Sequence, residues 1–192
     1  MRIVAGSARG LRLEGPGKVP IRPTGDRVRQ SLFNILAPVV EGQNVLDAFA
    51  GTGALGIEAL SRGAGFCVFL EKDPRLLAII ERNVAHTRLA DRARVIRCDV
   101  WRSIDKLRDL NLRFGLLLFD PPYQRLGSSA GWAALFDYIV ALADAGLTEP
   151  GAIFVIEHRA ADAPSQLPAR VAITDQRKYG DTGLLMLKTS VD

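Results

Sequence analysis

Residues 116–123 read LLLFDPPY, an apolar run that stops at an acid, two prolines and a tyrosine. The apolar residues predict a buried strand, which would present the Asp120 carboxylate and the Pro121 carbonyl at its end. Because proline has no N–H, the two prolines add no donor that would compete for these acceptors. Two acceptors aimed at the N–H bonds of a nucleobase amino group would pyramidalise its nitrogen, whose lone pair could then attack a methyl sulfonium.

The residues after Asp120 suit the same chemistry. Pro122 restricts Pro121 to an extended backbone, which fixes the direction of the Pro121 carbonyl. The ring of Tyr123 offers a face on which a base can stack. The predicted catalytic residues are therefore Asp120, Pro121, Pro122 and Tyr123. A plain strand-ending turn is the other interpretation, because Asp and Pro are common in turns.

A glycine-rich segment, DAFAGTGALG at residues 47–56, follows an apolar run and precedes a helical pattern. Gly51, Gly53 and Gly56 satisfy the GxGxxG spacing of nucleotide-binding loops, in which glycines permit a tight turn and a close approach of the backbone to a ligand. The spacing alone is also compatible with a turn that only joins a strand to a helix. The acidic residues around it make the prediction more specific.

Three acidic residues at the ends of the first three predicted strands together favour S-adenosylmethionine over NAD. Glu71 lies 20 residues after Gly51, where an acid can accept hydrogen bonds from both ribose hydroxyls. At Asp47, ahead of the glycines, a carboxylate would repel a pyrophosphate but suit the cationic amino acid end of S-adenosylmethionine. Asp99 is placed to accept from the adenine amino group, to cap a helix, or both. The predicted cofactor site also includes neighbours in these segments: Phe49, Gly51, Thr52, Gly53, Lys72 and Val100.

The elements that position these residues alternate after about residue 43. Five apolar runs are separated by stretches of helical periodicity: NVLDAF, FCVFLE, ARVIRC, LLLFD and AIFVIE. Continuous apolarity predicts strands buried on both faces of a parallel sheet. Residues 170–176 and 183–188 predict two more strands, which must be antiparallel because their connection is short. The sequence thus predicts an α/β doubly wound sheet of seven mostly parallel strands, the last two an antiparallel pair, with ligands beyond the carboxyl ends of the first and fourth strands.

The first 42 residues have another pattern and predict an N-terminal arm ahead of a core at residues 43–192, within one compact domain. MRIVAGSARGLRL predicts two short strands about the turn SARG, and a helix capped by Thr24 follows, whose core-facing residues are Val28, Leu32, Ile35 and Leu36. Residues 1–30 carry seven basic and two acidic residues, whereas the rest of the chain carries 18 and 19. This positive excess favours a polyanionic partner such as nucleic acid, although a solvated basic arm is equally compatible.

Composition disfavours several classes of protein. A hydrophobic content of 48% and a charged content of 24% are typical of a soluble globular chain. No apolar run reaches the roughly 20 residues of a membrane span, and the N-terminus lacks the apolar region of a secretory signal. Cys67 and Cys98 are predicted to be free thiols at opposite edges of the sheet, which fits a cytoplasmic location. The two histidines, His86 and His158, are isolated, so no metal site is predicted.

The segments RPTGDRVRQSLFNIL (Arg22 to Leu36), VLDAFAGTGALGIEALSRGA, LEKD and FDPPY resemble the RsmD family, and the resemblance spans nearly the whole chain. The resemblance implies a class I, Rossmann-like methyltransferase that uses S-adenosylmethionine to methylate the N2 amino group of a guanine in small-subunit (16S) ribosomal RNA. It also implies that Thr24, Asp26, Arg27 and Arg29 lie near the cofactor and the target base. Of these, Thr24 and Arg27 are assigned to the cofactor site and Arg29 to the RNA site. Gln30 stands where the family more often has Glu.

The family resemblance also implies that the N-terminal hairpin contacts RNA, with Arg2, Arg9 and Arg12 as predicted phosphate contacts. A target guanine must leave its stack before it can react, so a loop or junction nucleotide is expected. Arg125 and Tyr179 are placed to hold the flipped base or its neighbours, or are ordinary surface residues. The expected partner is small-subunit ribosomal RNA, either free or within an assembling 30S subunit.

Other functions are compatible with parts of the sequence. A DNA adenine or cytosine methyltransferase shares the DPPY pattern but normally needs a target-recognition region, for which the core sheet leaves little room. A protein glutamine methyltransferase usually carries Asn at the position of Asp120. A ribosome-assembly factor without catalytic activity would explain the basic arm but not the intact pocket. A dehydrogenase would not explain DPPY.

Overall fold

The structure is a computed structural model that describes residues 1–17, 19 and 25–189. It contains two compact units, Met1–Val100 and Trp101–Asp192. The division predicted at residue 42 is of another kind, since it separates an arm from a core, and it stays a prediction. No helix in the described part of the chain is both long enough and apolar enough to cross a membrane.

In the first unit, three strands alternate with helices. The elements are α1 (Asp26–Ile35), α2 (Ala37–Val40), β1 (Asn44–Ala48), α3 (Ala54–Ser61), β2 (Phe66–Glu71), α4 (Pro74–His86) and β3 (Ala93–Arg97). β1 and β2 are parallel, with Asn44 opposite Phe66, and β2 and β3 are parallel, with Cys67 opposite Ala93. This is the strand–helix–strand repeat that the apolar runs predict.

Up to residue 189, the second unit contains four strands. Its elements are α5 (Ile104–Arg108), β4 (Phe114–Phe119), α6 (Tyr123–Leu126), α7 (Ser129–Asp144), β5 (Thr148–Arg159), β6 (Val171–Tyr179) and β7 (Thr182–Thr189). β4 and β5 are parallel, whereas β7 is antiparallel to both β5 and β6. The predicted antiparallel pair at the end of the chain is therefore confirmed.

The seven strands have the order β3-β2-β1-β4-β5-β7-β6. This is the predicted α/β sheet, mostly parallel and closed by the final hairpin. The central strands are buried because they are apolar on both faces: Val68, Phe69 and Leu70 in β2 and Leu117 and Leu118 in β4 are all fully buried. The carboxyl ends of these strands carry the residues singled out by the sequence.

Helix α1 differs from its prediction at its start and on its buried face. Its N-cap is Gly25, which has no side chain to cap the helix, and the predicted cap Thr24 lies outside the described residues. Leu32 and Leu36 are buried as predicted, but Val28 and Ile35 are only half-buried. The other fully buried positions of this helix are Phe33 and Arg29. The buried face of this helix therefore includes a charged residue, Arg29, that the predicted core-facing set did not contain.

The predicted N-terminal hairpin is reduced to a single antiparallel bridge between Arg2 and Arg12. The Ile3 N–H donates to the Leu11 carbonyl at 3.0 Å and the Gly10 N–H donates to the Ile3 carbonyl at 2.9 Å. The pairing stops there because the next residues bond to α3 instead. The Glu58 carboxylate accepts from the N–H groups of residues 4 and 5, and the Ser61 hydroxyl accepts from the N–H of residue 8.

The two cysteines, Cys67 and Cys98, are buried and form no disulfide with each other. Cys67 lies at the start of β2, and the N–H of Cys98 donates to the carbonyl of Glu71 at the other end of that strand. The predicted separation of the two thiols is therefore confirmed. Among residues 1–17, 19 and 25–189, no cluster of three or more His, Cys, Asp or Glu side chains could hold a metal ion.

Candidate active site

The loop between β1 and α3 has an unusual backbone. Gly51 and Gly53 adopt φ values of +58° and +78°, in the region that glycine enters without strain. Phe49 also adopts a positive φ of +65°, which is rare for a bulky residue and costs free energy. Such strained residues concentrate at ligand sites, where the surrounding structure holds them in place. The strain at Phe49 supports its predicted place in the cofactor site.

Asp47 is almost completely buried at the end of β1, and its Oδ2 accepts a hydrogen bond of 2.8 Å from the Gly56 N–H. A side chain at position 56 would not fit, because a Cβ there would lie 2.4 Å from the Phe69 ring and 2.6 Å from Cys67 Sγ. The third glycine of the motif thus lets α3 pack against β2. Burial raises the pKa of Asp47 to about 8, while the bond from Gly56 partly opposes this increase.

Glu71 is the last residue of β2, and its carboxylate accepts hydrogen bonds from the glycine loop and from the residues that follow β2. Its Oε2 accepts from the Gly51 N–H at 3.0 Å, and its Oε1 accepts from the N–H groups of Lys72 and Asp73, each at 2.8 Å. A carboxylate offers about four acceptor positions, so these three bonds leave roughly one for a ligand. Acceptance from both ribose hydroxyls would therefore require one of the backbone donors to move.

The remaining predicted cofactor residues differ in exposure. Asp99 is half-buried after β3, and Val100 is buried beside it in a turn of 3-10 helix. Thr52 is buried in the glycine loop, whereas the side chain of Lys72 is exposed. Arg27 is exposed on α1, and Thr24 lies outside the described residues.

The predicted catalytic segment follows β4 directly. Asp120 is half-exposed at the end of the strand, Pro121 is buried and Pro122 is exposed. The backbone of Pro122 is extended, with φ −51° and ψ 131°, and its carbonyl accepts from the Arg125 N–H at 2.8 Å. These contacts start the short helix α6, which begins at Tyr123. Asp120 therefore lies between a buried strand and the turn that begins α6.

Tyr123 is half-exposed and is held by two residues that the sequence analysis missed. The Cζ of Arg159, at the end of β5, lies 5.8 Å from the centroid of its ring. Its hydroxyl lies 3.5 Å from Oγ1 of Thr182, at the start of β7. Arg159 follows the apolar run AIFVIE, so the rule that ligands bind at the carboxyl ends of strands could have found it.

The predicted RNA-binding residues fall into two groups. Arg2, Arg9, Arg12 and Arg125 are exposed, and Tyr179 is half-buried at the end of β6. A surface cavity of about 320 Å³ is lined by Met1, Arg2, Arg12 and Asp26. These positions are compatible with phosphate contacts, and their roles stay predictions.

Arg29 must be corrected, because its side chain is fully buried and cannot reach an RNA phosphate. Its Nη2 donates to the Arg2 carbonyl at 2.6 Å and to Oδ1 of Asp26 at 2.8 Å. Its Nε lies 3.6 Å from Oε2 of Glu58, which is also fully buried. The Arg29 guanidinium therefore joins the N-terminal segment, α1 and α3, and its role is structural.

A second link connects the N-terminal segment with the glycine loop through Asn83 on α4. The Asn83 Nδ2 donates to the Thr52 carbonyl at 3.0 Å and to the Glu14 carbonyl at 3.1 Å. Its Oδ1 accepts from the Glu14 N–H at 2.7 Å. Asn83 is buried, so one amide side chain satisfies backbone groups of both segments.

Comparison with known proteins gives this arrangement a family. The family model described as "Conserved hypothetical protein 95" matches residues 1–188. Bacillus subtilis "Putative rRNA methyltransferase YlbH" is 34% identical over 98% of both chains. Escherichia coli "Ribosomal RNA small subunit methyltransferase D" is 33% identical over 94% of this chain and 85% of that protein. The solved structure of E. coli "Putative methyltransferase yhhF" superposes with a TM-score of 0.78 at 31% identity, over 98% of this chain and 97% of that one. The chain belongs to the RsmD family.

Proposed function

We propose that this protein transfers a methyl group from S-adenosylmethionine to the N2 amino group of a guanine in small-subunit ribosomal RNA. The observation that carries the proposal is the Asp120 carboxylate, half-exposed at the end of β4 and followed by two prolines and a tyrosine ring. Relatives of the same family named as small-subunit ribosomal RNA methyltransferases support the substrate class. The exposed arginines of the N-terminal segment support an RNA partner.

The proposed binding of S-adenosylmethionine is based on residues of the first unit. A buried carboxyl at Asp47, a glycine loop with positive φ values and the acid Glu71 at the end of β2 fit the amino acid and ribose ends of S-adenosylmethionine. S-adenosylmethionine supplies an electrophilic methyl group when it is bound. Within the described residues of the first unit, no cation lies within salt-bridge distance of the buried Asp47 carboxyl, and the ligand ammonium would provide one.

The proposed contacts with the guanine that accepts the methyl group are based on residues of the second unit. The Asp120 carboxylate and the Pro121 carbonyl would accept the two hydrogens of the guanine N2, so that its lone pair is directed at the methyl carbon. A carbon–nitrogen bond forms as the carbon–sulfur bond breaks, and one proton leaves the nitrogen for Asp120 or for solvent. Tyr123 would stack on the base. No covalent intermediate with the protein is needed.

Nucleoside mapping by mass spectrometry tests the proposed function. Small-subunit RNA from a strain that lacks the protein should have lost one N2-methylguanosine, and the purified protein with S-adenosylmethionine should restore it. Modification of DNA or of a protein, with an unchanged nucleoside map of the RNA, would contradict the proposal and favour the alternative methyltransferases.

Cofactor binding should release a proton from Asp47. The pKa of this carboxyl is about 8 in the unliganded protein, above its ordinary value of 3.8, so the group is mostly protonated at pH 7. A bound ammonium lowers that pKa, so binding releases up to about one proton and the affinity rises with pH until about pH 8. Calorimetry of S-adenosylmethionine and its demethylated product in two buffers of different ionisation enthalpy measures this proton. The matched Asp47→Asn variant should release none, and stronger binding of NAD would contradict the cofactor assignment.

RNA binding should depend on the exposed arginines of the N-terminal segment. Replacing Arg9 and Arg12 with Ala should reduce the slope of log affinity against log salt by up to roughly 0.7–0.9 per lost phosphate contact. The affinity for S-adenosylmethionine should stay the same. Arg108→Ala combined with Arg170→Ala is the matched control, because these two arginines precede the starts of β4 and β6 rather than following strand ends. An equal slope of log RNA affinity against log salt in the two double variants would show that the N-terminal arm does not contact RNA.

A further inference from the structure

Three strands of the second unit present one row of side chains at the edge of the sheet where β4 ends. Arg159 on β5 lies opposite Thr182 on β7, and Thr182 lies opposite Tyr179 on β6. Residues directly opposite each other on antiparallel strands point to the same face of the sheet, with Cβ atoms about 4.5–5.5 Å apart. The three side chains therefore form a continuous row that runs Arg, Thr, Tyr.

Tyr123 belongs to this row although it lies on α6. Its hydroxyl lies 3.5 Å from the Thr182 hydroxyl in the middle of the row. The Arg159 guanidinium lies over the Tyr123 ring, with Cζ 5.8 Å from the ring centroid. A cation within about 6 Å of an aromatic centroid is attracted to the ring. The row thus consists of two tyrosines, one threonine and one arginine, and Tyr123 lies three residues after Asp120.

The charge of Arg159 is available to a ligand. The side chain is exposed, and within the described part of the chain no carboxylate lies within salt-bridge distance of its guanidinium. Arg177 on β6 is different, because its guanidinium forms a salt bridge of 3.0 Å with Asp175. An arginine fork without a carboxylate partner is suited to a phosphate, which it can bind through two parallel hydrogen bonds.

We infer that Arg159 is an RNA-binding residue that holds the phosphate of the target nucleotide or of its direct neighbour. The inference rests on the proposed function, in which the target base stacks on Tyr123. A nucleotide with its base against this ring brings its own backbone to the residues around the ring, and the Arg159 guanidinium lies over that ring. Thr182 holds the Tyr123 hydroxyl, so the ring and the guanidinium form one preorganised surface.

A purely structural role for Arg159 makes different predictions. If the guanidinium only packed on Tyr123, Arg159→Ala would loosen the ring and lower the turnover number, and the ionic strength dependence of RNA binding would not change. A phosphate contact instead raises the KM for RNA at nearly constant turnover number and contributes to the salt slope. Arg159→Lys separates the two roles further, because lysine keeps the charge and loses the planar stacking group.

The experiment measures binding of in vitro transcribed small-subunit ribosomal RNA over a range of salt concentrations, with S-adenosylhomocysteine present. Arg159→Ala should reduce the slope of log affinity against log salt by roughly 0.7–0.9, and Arg159→Lys should keep most of the slope. Arg108→Ala removes the same charge from an exposed arginine of α5 and should match the wild type. Calorimetry should show equal S-adenosylhomocysteine affinity in all four proteins.

The outcomes separate this inference from the proposed function. If the wild type methylates the RNA but Arg159→Ala and Arg108→Ala bind it with equal slopes, the assignment of Arg159 is overturned and the proposed function stands. If the wild type methylates no RNA nucleoside, the proposed function is overturned, and the assignment of Arg159 to an RNA phosphate is overturned as well. A slope change confined to Arg159→Ala, together with a raised KM for RNA, supports the assignment.

Discussion

Replacing Asp120 with alanine should lower the rate of methyl transfer by about two to three orders of magnitude, the usual loss when one preorganised hydrogen-bonding group is removed from the reacting centre. The variant loses the acceptor that is aimed at the amino group, while the glycine loop and Glu71 are unchanged. Its affinity for S-adenosylmethionine should therefore equal that of the wild type. Single-turnover transfer of a labelled methyl group into small-subunit RNA measures the rate, and calorimetry measures the affinity.

Two further variants sharpen this prediction. Asp120→Asn should retain part of the activity, because the amide oxygen still accepts one hydrogen bond. Asp137→Ala removes an exposed carboxylate from α7 and should have wild-type activity. Normal methylation of RNA by Asp120→Ala would show that the acceptor mechanism is wrong.

The second large effect concerns stability, because Arg29→Ala would leave the buried Glu58 carboxylate without the guanidinium beside it. Breaking a buried ion pair by removing one partner typically lowers the free energy of unfolding by about 3–5 kcal/mol. Glu58 keeps its bond of 2.7 Å to Arg62, so the lower part of this range is expected. Arg29→Lys should also be destabilised, because a single ammonium cannot reproduce the several donors of the guanidinium.

Urea unfolding of the variants measures this effect. Arg27→Ala is the matched control: it removes the same charge from an exposed position on the same helix, and it should change the free energy of unfolding by less than about 0.5 kcal/mol. Equal stability of the two variants, with a loss of RNA affinity confined to Arg29→Ala, would restore the RNA-binding role that the structure contradicts.

Much of the fold could be predicted because its signals are local. β1, β2, β4, β5 and β7 coincide with apolar runs, since a strand buried on both faces must be apolar throughout. The edge strands β3 and β6 are partly exposed and contain charged residues. The strand ends were less predictable: β5 begins at Thr148, four residues before its apolar run, because it pairs there with Phe114 through the backbone. The hairpin pattern of residues 1–13 yields only one bridge, because Glu58 and Ser61 bond to the same backbone, and those partners are more than 50 residues away.

The candidate site shows the same distinction between local and long-range information. Asp47, Glu71 and Asp120 lie at strand ends, as their places after apolar runs predict. The prediction that Arg29 contacts RNA came from the family resemblance, which does not show whether the side chain is buried. Arg29 lies three, four and seven residues before Leu32, Phe33 and Leu36, on the buried face of α1. Arg159 lies at a strand end that the sequence could have indicated, but its contact with Tyr123 depends on how α6 lies against β5, which composition and periodicity do not reveal.

The shared amide of Asn83 gives the first residues of the chain an uncommon property. Terminal segments ordinarily fray first, since few groups hold them. Here detachment of Glu14 would remove one bond that the buried Asn83 side chain donates and one that it accepts, and its remaining bond to the Thr52 carbonyl would lose its fixed geometry. Local opening therefore involves the terminal segment and the glycine loop as one cooperative unit, and backbone amides of both would exchange their hydrogens with solvent at a common free energy.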